Sequence, residues 1–208
     1  MGLSTVPPNP ACKRQRYASL HAAPDASRWA QPDYAFMKED NMQGSLNEIL
    51  PEPISPENET VILELLKRKM AVSLELAVDL LHAMEQRFGA EAREVLHEMT
   101  RKQDFETNEE MKRPEEDLRS FCAMIDRVAA GSHRWERVVD DPDRIGYCFT
   151  RCMYAEILRE LEEPELGLVI CARDGPWVKS FNSGLGFHRT KTLMDGNNAC
   201  DHVFYVKR

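Results

Sequence analysis

Gly186-Phe187-His188-Arg189-Thr190-Lys191-Thr192-Leu193-Met194-Asp195-Gly196-Asn197-Asn198-Ala199-Cys200-Asp201-His202-Val203-Phe204 reads as two strands about a turn, and the fold class follows from it. Residues 186–193 and 200–206 alternate and are rich in Thr, Val, Phe and Tyr, the composition of half-buried strands. Asp195-Gly196-Asn197-Asn198 supplies tight-turn chemistry between them. A side-chain period of two then puts Cys200 and His202 on one face of the sheet and Asp201 on the other. A thiol and an imidazole share a surface.

Working toward the N-terminus, Pro176 to Phe181 predicts a brief helical turn. Leu166 to Ala172 is a short, nearly continuous apolar run, as in a central strand covered on both sides. A helix is expected from about Thr150 to Leu161, with Cys148, Cys152 and Glu156 at intervals of four along one face. Arg134-Trp135-Glu136-Arg137-Val138-Val139 alternates as a strand, and Asp140-Asp141-Pro142-Asp143 turns it. Before Gly131 the period becomes helical. Ser55-Pro56-Glu57 opens a long helix, or two in series, to Phe88, with Gly89 as its stop. Shorter helices are expected over Ala90–Arg101 and Pro114–Ala130. Helices first and strands after make an α+β domain: a small, mostly antiparallel sheet with an inserted helix and a C-terminal β-hairpin.

Eight of the twelve prolines fall in residues 1–56, which reads as an irregular Pro-rich arm. Residues 57–208 form one domain, with a helical part at 57–130 and a sheet part at 131–208. The amphipathic long helix offers a face either to a second copy, giving a homodimer, or to the chain's own sheet, and its pattern fits both. The 35 acidic residues outnumber the 27 basic ones and no basic stripe runs along any face, which argues against nucleic acid. No run approaches the roughly 18 apolar residues of a spanning helix, and no signal-type apolar core opens the chain. A cytoplasmic protein with no membrane partner is expected. Six cysteines without a CxxC pair read as mostly reduced thiols rather than a disulfide scaffold.

Two chemistries fit the Cys-Asp-His strand. Cys200 attacks an electrophilic carbon while His202 lowers its pKa or shuttles the proton, with Glu156 or Asp174 orienting the imidazole or holding a cationic substrate. Alternatively a divalent metal sits on Cys200, His202 and a carboxylate such as Glu156; no other cofactor is called for. A structural zinc site is disfavoured because its ligands come from close knuckle pairs.

The segment Cys152-Met153-Tyr154-Ala155-Glu156-Ile157-Leu158-Arg159-Glu160-Leu161-Glu162-Glu163-Pro164-Glu165-Leu166 resembles the signature of the L-2-amino-thiazoline-4-carboxylic acid hydrolase-like family. Cys171 with Asp174, Phe181-Asn182, Arg189-Thr190-Lys191-Thr192-Leu193 and Gly196 followed by Cys200-Asp201-His202 agree in order and spacing. The resemblance implies hydrolysis of a C–N bond in a small cyclic amidine, a thiazoline ring opening to a carbamoyl-cysteine. It implies that Cys200 and His202 act at the amidine carbon, that Glu156 or Asp174 faces the amidine, and that Arg189 or Lys191 holds the carboxylate. Cys152, Tyr154 and Asn182 would complete the substrate site. Two positions depart from the pattern: Asn197 stands where the family usually has an acid, and Ser183 where it has proline. A non-hydrolytic biosynthetic cyclase, lyase or isomerase on the same scaffold is therefore the alternative, and a small-molecule binding module without catalysis is a third.

Overall fold

The fold is described for residues 42–102 and 112–208 of a computed structural model. Tyr17, Trp29, Tyr34, Phe36 and the rest of the arm before residue 42 lie outside them. The first helix, α1 (Pro56–Phe88), is continuous. The Ser55 side chain accepts the Asn58 N–H at 3.2 Å, Pro56 needs no N–H partner at the first position, and Gly89 ends the helix at φ 78°. Helix α2 (Glu91–Lys102) folds back on it. The third, α3 (Leu118–Ala129), starts four residues later than expected, because Asp117 caps it by accepting the Ser120 N–H at 2.8 Å.

Strands β1 (His133–Asp141), β2 (Arg144–Cys152), β3 (Leu185–His188) and β4 (Cys200–Val206) form one antiparallel sheet in the order β1-β2-β4-β3. Helices α4 (Met153–Glu160), α5 (Pro164–Cys171) and α6 (Asp174–Phe181) join β2 to β3.

Three expectations are corrected. Leu166 to Ala172 is helical rather than a central strand: Pro164 opens α5, and the apolar run is a buried helix, which periodicity alone does not distinguish from a buried strand. The predicted helix at Thr150 begins only at Met153, because β2 pairs with β1 as far as Cys152. Cys148 and Cys152 are therefore strand residues and share no helix face with Glu156. The final hairpin is not tight. The Asp201 carboxylate accepts the Thr190 N–H at 2.9 Å and the Lys191 N–H at 2.6 Å, which draws the chain off the sheet after His188. Thr192 then caps a 3-10 turn, Leu193–Asp195, closed by Gly196 at φ 79°.

The core lies between the sheet and α3 to α6. Phe121 is fully buried and meets Phe181, Phe204 and Trp177 edge to face at 5.0, 5.1 and 5.7 Å. Helix α1 is fastened from outside by a His82–Glu163 hydrogen bond at 2.8 Å and by ion pairs of Glu85 with Arg93 at 2.8 Å and of Lys67 with Glu160 at 2.6 Å, and Arg93 reaches on to Glu163 at 2.9 Å. Residues 42–48 add to the β1 edge, where Gln43 bridges Trp135.

Candidate active site

Strand β4 sets Cys200 opposite Phe149 and His202 opposite Tyr147, so the alternation read from the sequence holds and both side chains lie on the helix-covered face. The His202 ring is enclosed by Phe149 at 4.8 Å and Phe187 at 5.2 Å. Its Nε2 is buried and has no hydrogen-bond partner among the described residues. Burial first, then the Arg189 guanidinium and the competing titration of His133, push its pKa down to about 3. The imidazole is thus neutral around pH 7 and presents an acceptor or a donor according to tautomer.

Asp174, the first residue of α6, stands 4.0 Å from that Nε2. Burial raises its carboxyl to about 6, against the opposing pull of Arg189, whose Nη1 donates to it at 2.6 Å. Arg189 also donates to the Cys171 carbonyl at 3.3 Å and lies over the Phe187 ring at 5.6 Å. A carboxyl that titrates near neutrality, an unpartnered imidazole and a guanidinium thus share one corner of the sheet.

The thiols form the floor of this corner. Cys200 Sγ accepts the Leu193 N–H at 3.1 Å and lies 3.5 Å from the Thr192 hydroxyl, which is 3.6 Å from Cys171 Sγ. That hydroxyl accepts both the Met194 N–H and the Cys200 thiol. Cys152 is close enough to feel both other thiols. Burial pushes all three up, Cys152 to about 12, while the Leu193 N–H and the Thr192 hydroxyl work the other way on Cys200.

Cys200, His202, Asp174, Arg189 and Cys152 are therefore brought together. Glu156 is not with them: its carboxylate accepts from Arg151 at 2.6 Å and meets Lys67 at 3.7 Å. Among the described residues no three His, Cys, Asp or Glu side chains gather as metal ligands, so the expected Cys200, His202 and Glu156 set is not assembled. Asn182 caps α6 and clamps the chain, donating to the Pro114 and Glu116 carbonyls and accepting the Gly184 N–H. Lys191 gives its backbone N–H to Asp201. The Tyr154 ring lies 6.3 Å from His133.

Three contributors escaped the sequence reading. His133 sits against Phe149 at 5.7 Å, bonds to Ser132 at 2.8 Å, and is pushed to about 4 by burial; its place at the start of an alternating strand was the available signal. Thr192 and Asp201 shape the loop that carries Arg189. Asn197, where an acid was expected, donates to the Thr192 carbonyl at 3.2 Å and braces the same loop.

A family model described as L-2-amino-thiazoline-4-carboxylic acid hydrolase matches residues 68–204, well over half of the chain, from the C-terminal two thirds of α1 into β4. No curated protein and no solved structure matches. No helix among the described residues is long and apolar enough to cross a membrane.

Proposed function

The chain belongs to the L-2-amino-thiazoline-4-carboxylic acid hydrolase family, and from that membership we propose that it hydrolyses a C–N bond in a small cyclic amidine derived from an amino acid, at the corner formed by Cys200, His202, Asp174 and Arg189. The observation that carries the reading is the unpartnered His202 Nε2 beside the Asp174–Arg189 pair. A buried polar atom without a partner is costly unless something else satisfies it, and a substrate nitrogen or the attacking water suits a neutral imidazole. Water adds to the amidine carbon, its proton passes to His202 and on to the leaving heteroatom, and Asp174 holds the cationic amidine. Arg189 meets the substrate carboxylate when it releases part of its grip on Asp174. In the covalent variant of the same reaction Cys200 attacks the amidine carbon, its proton passes through His202 to the ring nitrogen that leaves, and water then adds to the sulfur-bound carbon and expels Cys200, which regains its proton.

The test is incubation with 2-amino-thiazoline-4-carboxylic acid and mass-spectrometric detection of the ring-opened carbamoyl-cysteine. Turnover lost in His202→Asn and Asp174→Asn supports the reading. Saturable binding with no turnover in the wild type overturns it in favour of a binding module. A second reading keeps the site and changes the reaction to ring closure, elimination or isomerisation. It is favoured by Asn197, whose amide braces the loop where an acid would activate water, and is supported if the product carries no added water.

A further inference from the structure

His133 faces the site without a part in the reaction proposed above, and a break in the sheet aims it there. His133 pairs with Cys152 and Arg134 with Arg151, but Trp135 pairs with Phe149, so Thr150 is the extra residue of a β2 bulge. Phe149 and Cys152 are three apart and would face opposite ways under strict alternation; the bulge turns both to the helix-covered side and brings His133 with them. The His133 ring lies 5.7 Å from Phe149 and 6.3 Å from Tyr154, and Phe149 also touches His202 at 4.8 Å.

Hydrogen bonding fixes the tautomer. The Ser132 hydroxyl donates to the Ala129 carbonyl at 3.1 Å, so its oxygen is the acceptor toward His133 Nδ1 at 2.8 Å. Nδ1 therefore carries the proton of the neutral ring, and Nε2 is a lone-pair acceptor. His202 has the Asp174 carboxylate 4.0 Å away to steady a proton it gains, whereas burial and the Arg151 guanidinium both oppose one on His133. His133 is suited to receive a hydrogen bond rather than a proton.

A cyclic 2-amino-amidinium carries three N–H groups, one on the ring nitrogen and two on the exocyclic nitrogen. The Asp174 carboxylate can take the two that lie side by side. The outward one needs an acceptor of its own, and an uncharged one suits it because Asp174 already balances the cation. We propose that His133 determines specificity, its Nε2 accepting that outward N–H, so that the site selects rings bearing an exocyclic amino group. The inference rests on the cyclic-amidine reading above.

Two substitutions test it. His133→Asn keeps an amide near the Nδ1 position beside Ser132 and removes the Nε2 acceptor, whereas His133→Gln places an amide oxygen near Nε2. With 2-amino-thiazoline-4-carboxylic acid, His133→Asn should raise KM about 10- to 100-fold with little change in kcat, and His133→Gln should recover most of the loss. Inhibition by 2-methyl-thiazoline-4-carboxylic acid, which has the ring and the carboxylate but no exocyclic N–H, should be the same in all three proteins. Wild-type turnover with a KM unmoved by His133→Asn, or with both ligands weakened alike, overturns the inference and leaves the hydrolytic reading intact. If the wild type binds the amino ring in calorimetry without turning it over, and His133→Asn loses that affinity while His133→Gln keeps it, hydrolysis fails and the inference stands. No binding of the amino ring by the wild type overturns both.

Discussion

His202 is a base held neutral by the fold, and its consequences can be measured in two ways. Its folded pKa of about 3 and the value of about 4 for His133 both lie below the ordinary 6.5. Each group therefore gives its full stability above about 6.5 and loses it as pH falls toward 4 and 3, at about 1.4 kcal/mol per unit. Asp174, raised to about 6 from 3.8, acts in the opposite sense, withdrawing stability as pH rises through that interval. With two histidines against one carboxyl, melting temperature should fall as pH drops from 6.5 to 4, and His202→Phe should flatten the fall; an equally steep curve in the variant refutes the assignment. In turnover, His202→Asn should lower kcat about 10²–10⁴-fold, the usual contribution of a positioned proton carrier. The wild-type kcat/KM profile should show a limb near pH 6 from Asp174; a profile flat between pH 5 and 7 refutes that role. Asp201 belongs to this scale too: Asp201→Ala removes the acceptor for two backbone N–H groups, so KM should rise through a loosened Arg189 while the melting temperature drops by a few degrees.

At the level of elements, what was legible is what local chemistry dictates. Ser55-Pro56 and Gly89 announce the ends of their helix because a cap is satisfied by neighbours a few residues away, whereas the Asp117 cap was passed over for Pro114; Ser55→Ala should cost about 1 kcal/mol in chemical denaturation. Strand β1 with the turn after it, and the Cys200/His202 face, were legible for a similar local reason, although β2 was partly read as helix. α5 was not, because an apolar stretch buried on all sides carries no period to read. The loop between β3 and β4 was not, because Asp201 acts across the strand on N–H groups ten and eleven residues away. Glu156 was misplaced with the site because its helix starts later than its spacing suggested, which turns it toward Arg151 and Lys67. Gly44 marks the same limit: at φ 107° a side chain is strained, and a Cβ would drive into the His133 carbonyl oxygen and the Trp135 ring. Gly44→Ala should destabilise by more than about 1 kcal/mol and detach the added edge, seen as faster amide exchange at Gln43 and Trp135.

On the scale of the whole molecule, the sheet, α3 and α6 share one aromatic centre at Phe121. Phe121→Ala should cost about 3–5 kcal/mol and reduce the cooperativity of unfolding, since it empties the junction of three elements. The sheet order adds a constraint of timing. Of the four strands of this sheet, β4 is made after the other three, yet it is an interior one, paired on one side with β2 and on the other with β3. Until it arrives, both neighbours present open edges, the template for pairing between nascent chains. The same strand delivers Cys200, Asp201 and His202, so the chain passes through no sheet-complete state that lacks its reactive groups. Completing the sheet and arming the site are one event.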